Sequence, residues 1–193
     1  MNFLVRAIFL DRDGVVNRKA PEGSYVASIG EFEVLPGSLE AIAKLCGDGW
    51  QVFLVTNQRG IARGMVSENA VEQIHRWLLE QVRNAGGEIM QVYVCPHDYS
   101  DLCDCRKPKP GMLLRAAREH SLDLAHSWMV GDSIWDMQAG RAVGCKTAYL
   151  GEGRCEMADI EAPSLQFFVE QLQQQDRPYP KADGIKSQHS KNR

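Results

Sequence analysis

Phe3-Leu4-Val5-Arg6-Ala7-Ile8-Phe9-Leu10-Asp11-Arg12-Asp13-Gly14-Val15-Val16-Asn17 is the stretch whose reading decides the fold. A mostly apolar run of strand length, Phe3 to Leu10, ends directly in two carboxylates one residue apart. Side chains at i and i+2 of an extended segment point to the same side, so Asp11 and Asp13 can face one reacting atom together. Gly14 supplies the backbone freedom for a sharp turn and for close approach of a ligand. Asp and Gly are also ordinary turn residues, so the tetrapeptide by itself fits a plain strand end equally well. The remainder of the chain has to discriminate.

Apolar segments recur at Trp50 to Val55, Ile89 to Val94, Trp128 to Val130 and Cys145 to Leu150. Helical patterns lie between most of them: Gly37 to Cys46, Met112 to Glu119, Asp132 to Ala142 and Ser164 to Gln174. The clearest runs from about Ser67 to Ala85, with Val71, Ile74, Leu78, Val82 and Ala85 on one face and Ser67 placed to cap it. Strands alternating with helices predict an α/β fold, a Rossmann-like doubly wound parallel sheet with helices on both faces. Ligands of such sheets bind beyond the carboxyl ends of the strands.

The 193 residues suffice for one domain with a full core, predicted over residues 1–172. Residues 173–193, rich in Gln, Lys, Pro and Ser, have little to bury and are expected to form a disordered tail. A net charge of -3 argues against a general attraction to nucleic acid, and no basic stripe with interleaved aromatics tracks a strand. No apolar stretch reaches membrane-spanning length, so the expectation is a cytoplasmic monomer with a small-molecule partner. Six cysteines without a signal peptide point to reduced thiols or metal ligands more than to disulfides.

Further motifs stand at the predicted strand ends. Thr56-Asn57-Gln58 follows Trp50 to Val55 and offers a hydroxyl and amides to a phosphate oxygen, although Thr-Asn also opens plain loops. Arg106-Lys107-Pro108 offers a lysine that can neutralise transferring phosphoryl charge, where most Arg-Lys pairs are merely solvated. Gly131-Asp132-Ser133-Ile134-Trp135-Asp136 follows Trp128 to Val130 and places one carboxylate at a strand end and another at i+4. Asp132 serves equally well as a helix N-cap. Cys95-Pro96-His97 and Cys103-Asp104-Cys105 bring one imidazole and three thiolates within eleven residues. Four soft ligands with no vacancy for water suit a structural tetrahedral Zn²⁺ on Cys95, His97, Cys103 and Cys105. Cys46, Cys145 and Cys155 lie elsewhere and supply a background of plain reduced cysteine.

In this order the four strand-end motifs resemble the haloacid dehalogenase-like phosphohydrolases over residues 3 to about 150. The resemblance implies Asp11 as the nucleophile that forms an aspartyl-phosphate, and Asp13 as general acid and then base. It implies Thr56 and Lys107 on the phosphoryl oxygens. It also implies Mg²⁺ on Asp11, the main-chain carbonyl of Asp13 and Asp132, with Asp136 a direct ligand or one shell out. About fifty residues separate Thr56 from Lys107, too few for a cap domain.

With its zinc loop the chain is similar to the subfamily of D-glycero-D-manno-heptose 1,7-bisphosphate phosphatases and histidinol-phosphate phosphatases. Arg12, Asn57, Gln58, Arg59, Arg63 and Arg106 are the expected substrate-binding residues, and arginine suits a second phosphate through its bidentate fork. That favours the heptose bisphosphate. The short gap from His97 to Cys103, and acids at Glu22, Asp98, Asp101 and Asp104 that can bind an amine, keep histidinol phosphate as the alternative. A module that binds phosphate without turnover would not need Asp13, and a nucleic-acid end phosphatase lacks its basic track.

Overall fold

The computed structural model describes residues 5–175. Among them, β1 (Ala7–Leu10), α1 (Ser38–Gly47), β2 (Gln51–Asn57), α2 (Glu68–Asn84) and β3 (Gln91–Cys95) make the first half. The second half comprises α3 (Gly111–His120), β4 (Trp128–Gly131), α4 (Ile134–Arg141), β5 (Lys146–Leu150), β6 (Ile160–Ala162) and α5 (Leu165–Gln175). All six strands are parallel in the order β3-β2-β1-β4-β5-β6. The chain winds outward from β1 through β2 to β3, then crosses back to place β4 on the other side of β1. The crevice at the carboxyl ends of β1 and β4 is therefore the switch point where such sheets bind ligands.

Period-2 alternation divides each central strand between two cores. Ile8, Leu10, Val52 and Leu54 join residues of α1, α2 and α5 on one face, and Ala7, Phe9, Phe53 and Val55 join α3 and α4 on the other. Burial on both faces is why these strands read as continuous apolar runs. Ser67 caps α2 by accepting from the Ala70 N–H at 3.1 Å, and of the predicted stripe Val71, Ile74, Leu78 and Val82 are buried while Ala85, at the C-cap, is half-buried.

Three elements differ from expectation. β1 begins only at Ala7, because Val5 pairs instead with Leu122 in an isolated bridge. β6 was not anticipated, since three residues are too few to show a period. Helix α5 reaches Gln175, three residues into the segment expected to be tail, and the rest of that segment lies outside the described residues. Between β2 and α3 stand only α2, β3 and the Cys/His loop with one short 3₁₀ turn, so no cap domain is inserted there.

Candidate active site

The backbone turns at Asp11-Arg12-Asp13-Gly14 because the carbonyl of Arg12 collects the N–H groups of Val15, Val16 and Asn17 while the Gly14 N–H donates to the Asn17 carbonyl. Gly14 has φ +88°, and a Cβ there would run into the carboxylate of Asp132. Both demands exclude a larger residue. The Asp11 N–H donates to the Val130 carbonyl at 2.9 Å, which pins this turn to β4.

Around the turn lie the other predicted residues. Lys107 is buried, and its ammonium makes ion pairs with Asp11 at 2.9 Å and Asp136 at 2.6 Å and donates to the Val55 carbonyl at 2.7 Å. Asn57 fixes its backbone from both sides: the Lys107 N–H donates to Asn57 Oδ1 and Asn57 Nδ2 donates to the Lys107 carbonyl, each 3.1 Å. Burial works against the Lys107 charge, but Asp11 and Asp136 outweigh it and hold the ammonium protonated. Burial pushes Asp11 up to about 7, against the pull of Lys107 and with repulsion from Asp136, Asp13 and Asp132 added.

Asp13 is held the other way. Burial would raise it, yet the charge and hydrogen bonds of Arg12, with those of Asn17 and Gln58, keep it below the usual carboxylate range. Arg12 Nη2 donates to both of its oxygens at 2.9 Å. Asn17 Nδ2 donates to Oδ1 and Gln58 Nε2 to Oδ2, again at 2.9 Å. Gln58 Nε2 also donates to the Thr56 hydroxyl at 2.9 Å, so one amide links the acid/base candidate to the phosphate-binding candidate.

Arg12 lines the cavity as expected, but its side chain is 1% exposed and its guanidinium clamps Asp13 from within. Its Nη1 lies 3.2 Å from Nε2 of His75, a residue not anticipated. His75 sits on the buried stripe of α2, where a polar side chain is the only signal that would have marked it. Burial, then the Arg12 charge, push His75 down to about 3, so it is neutral and accepts from the guanidinium.

Asp132 is not the helix N-cap. Ser133 takes that position, its N–H and hydroxyl donating to Asp136 Oδ2 at 3.1 and 2.6 Å. Asp132 is left facing Asp11, with Lys19 donating to its Oδ2 at 2.8 Å and its buried Oδ1 accepting no hydrogen bond. Oxygens of Asp11, Asp132 and Asp136 lie within 4.8 Å of one another.

A cavity of about 290 Å³ opens above these groups and is lined by Asn57, Gln58, Arg59 and Arg106 as expected. Arg63 is not on its wall: its Nε donates to Asp98 Oδ2 at 2.7 Å, on the surface beside the cavity. Asp98 also faces Arg59 at 3.9 Å. Tyr99, Trp135 and the loop from Lys19 to Val26 complete the wall; Glu22 in that loop was anticipated as an acid able to bind an amine, whereas Tyr99 and Trp135 were not anticipated.

Beside the cavity the Cys/His cluster is assembled as predicted. Cys95 Sγ lies 3.7 Å from both His97 Nδ1 and Cys103 Sγ, and His97 Nδ1 lies 3.3 Å from Cys105 Sγ. The loop it organises runs straight into Arg106 and Lys107.

The family model described as HAD-hyrolase-like matches residues 104–174. Together with the carboxylates at the switch point, this partial match points to the class of haloacid dehalogenase-like hydrolases. The D-glycero-beta-D-manno-heptose-1,7-bisphosphate 7-phosphatase of Pseudomonas aeruginosa is 44% identical over 147 residues, covering 76% of this chain and 82% of that one. Its namesake in Pasteurella multocida is 43% identical over 151 residues, covering 75% and 80%. The crystal structure of D,D-heptose 1,7-bisphosphate phosphatase from B. bronchiseptica, complexed with magnesium and phosphate, superposes with a TM-score of 0.81 at 38% identity, covering 89% of this chain and 99% of that one. The chain belongs to this family of haloacid dehalogenase-like phosphatases.

Proposed function

We propose that the protein is a Mg²⁺-dependent phosphatase that removes the 7-phosphate of D-glycero-β-D-manno-heptose 1,7-bisphosphate through an aspartyl-phosphate on Asp11. The observation that carries this reading is the 44% identity, over 82% of its length, to the Pseudomonas aeruginosa enzyme of that name. The cavity wall supports it. Of the four acids that can bind the amine of histidinol phosphate, only Glu22 lines the cavity. Asp98 is neutralised by Arg63, Asp101 accepts from the Asp98 N–H, and Asp104 is exposed beside Lys109.

Asp11 attacks phosphorus as the bond to the sugar oxygen breaks. Asp13 gives a proton to the leaving alkoxide and later takes one from the water that hydrolyses the aspartyl-phosphate. In the resting site Asp13 accepts only from Arg12, Asn17 and Gln58, donors that favour its ionised form. Protonation for the acid step works against them, and the approaching phosphate dianion supplies the opposing push. Thr56 and Lys107 hold the phosphoryl oxygens, Lys107 from beside Asp11 where its charge counts most.

The carboxylates fit a small hard cation: three converge, and one buried Asp132 oxygen has no donor. Asp11, the Asp13 carbonyl and Asp132 would hold Mg²⁺, with Asp136 direct or one shell out. Bound there, it supplies the charge neutralisation that lets a carboxylate meet a phosphate dianion. The Cys/His cluster fits Zn²⁺, because ligands about 2.3 Å from a tetrahedral centre stand roughly 3.7 Å apart. Three thiolates and one imidazole make that a closed structural site. The six unpaired cysteines support a reducing compartment, and the reading is completed by a cytoplasmic monomer.

The deciding experiment measures kcat/KM with Mg²⁺ for both anomers of heptose 1,7-bisphosphate and for histidinol phosphate. The β anomer is expected to be the best substrate. A higher value for histidinol phosphate would overturn the assignment.

A further inference from the structure

Of the large apolar side chains exposed among the described residues, two line the active-site cavity: Tyr99, 52% exposed, and Trp135, 38% exposed. They come from opposite sides of the crevice. Tyr99 stands on the Cys/His loop after β3, and Trp135 on the first turn of α4, next to Asp136. Their rings meet edge to face, with centroids 5.8 Å apart and planes at 83°. This is a favoured aromatic geometry, and it ties the two loops together at the mouth of the site.

Tyr99 is also held from its own side. The guanidinium of Arg106 lies 4.4 Å from the ring centroid and that of Arg59 4.9 Å. Arg106 is fixed in turn by donating to the His97 carbonyl at 3.1 Å. Two cations stacked on one ring hold a rigid wall in water, where a free tyrosine would turn through its rotamers. Ordering an exposed aromatic pair at a cavity mouth sets up a surface for a ligand, since neither ring is needed to fill a core.

We propose that Tyr99 and Trp135 form the platform against which the carbon skeleton of the substrate lies, so that they select sugar phosphates over small phosphomonoesters. The proposal rests on the sugar-phosphate reading above. A phosphate seated on Asp11 projects its organic portion out through this mouth. A sugar offers C–H faces to an aromatic wall and hydroxyls at its edges, whereas a two-carbon ester is too short to lie along both rings.

The test compares kcat/KM for heptose 1,7-bisphosphate and ethyl phosphate in the parent, Trp135→Ala and Trp135→Phe. Trp135→Ala should lose about ten-fold on the sugar and no more than about three-fold on ethyl phosphate, and Trp135→Phe should restore most of the loss. In the Asp11→Asn background, heptose 1,7-bisphosphate should shift tryptophan emission where inorganic phosphate does not, and Trp135→Phe should abolish the shift. Equal losses on both substrates, or an unchanged emission, would overturn the platform. A parent enzyme with no preference for the bisphosphate over ethyl phosphate would overturn the sugar-phosphate reading and this inference with it; a parent preference that Trp135→Ala leaves undiminished would overturn the platform alone.

Discussion

Asp11 and Asp13 are two residues apart and are pushed in opposite directions, which separates their roles before any substrate arrives. Asp11 is raised to about 7 because it is buried among three other carboxylates, against the pull of Lys107. A carboxyl raised in the folded state favours folding only where it is protonated. In Mg²⁺-free buffer its contribution is thus present below its unfolded value near 4 and is lost as pH rises through 7. Asp11→Asn, which removes the charge, should therefore melt higher than the parent at pH 8 without Mg²⁺, with the gap shrinking by pH 5. The same variant should have no measurable turnover, since an amide forms no aspartyl-phosphate. Activity in Asp11→Asn, or a melting difference that ignores pH, would contradict the account. Asp13→Asn should keep the nucleophile and lose roughly 10² to 10⁴ in kcat.

Arg106 and its neighbour Lys107 offer a second comparison at this scale. Lys107 is spent on Asp11, Asp136 and the Val55 carbonyl, whereas Arg106 faces the cavity with its Nε unpartnered. If Arg106 reads the non-reacting phosphate, Arg106→Ala should cost about ten- to a hundred-fold in kcat/KM for the bisphosphate and far less for a monophosphate. Lys107→Ala should damage both alike. Equal losses from Arg106→Ala would remove it from the second-phosphate site.

At the scale of elements, the Cys/His loop decides how accurately Arg106 and Lys107 are aimed. A closed tetrahedral metal would contribute folding free energy directly, and the segment it would order continues into Lys107. The purified protein should carry about one zinc per chain. Cys103→Ser should lower both the melting temperature and kcat, with Mg²⁺ still required in the parent. No zinc by elemental analysis, or a Cys103→Ser protein as stable and active as the parent, would dismiss the loop's role. The Cys/His cluster was legible in the sequence because its four residues lie within eleven positions, as were the five longer strands, whose burial on both faces leaves unbroken apolar runs. β6 was not legible, because three residues carry no period. Nor was the Arg12–His75 contact, which joins residues 63 apart through a helix face. Arg12 looked like a substrate ligand by its charge and position alone. Only packing shows that the Arg12 guanidinium is turned onto Asp13, and that Arg63 is tied to Asp98 outside the cavity.

For the whole molecule, the switch point gathers strand ends from distant parts of the chain, so the site depends on the complete sheet and both of its cores. The described residues 5–175 supply six strands, the helices over each face, the cavity and both clusters of candidate ligands. Helix α5 closes one core with Leu165, Phe168, Val169 and Leu172, and Gln173 Nε2 donates to Asp48 Oδ2 at 2.6 Å beyond the C-terminus of α1. A chain ended after Gln175 should keep kcat/KM within about two-fold and its melting temperature within a few degrees, because every buried group of the described sheet and helices is retained. A chain ended after Phe168 loses Val169 and Leu172, both buried in that core. Removal of one buried leucine side chain alone costs about 2–5 kcal/mol, so this second truncation should lose most of its stability or fail to fold. Thermal melts and turnover of the two truncations, measured together, check the argument. Collapse of the chain ended after Gln175 would show that residues 176–193 belong to the folded unit, and a stable chain ended after Phe168 would show that α5 does not close the core.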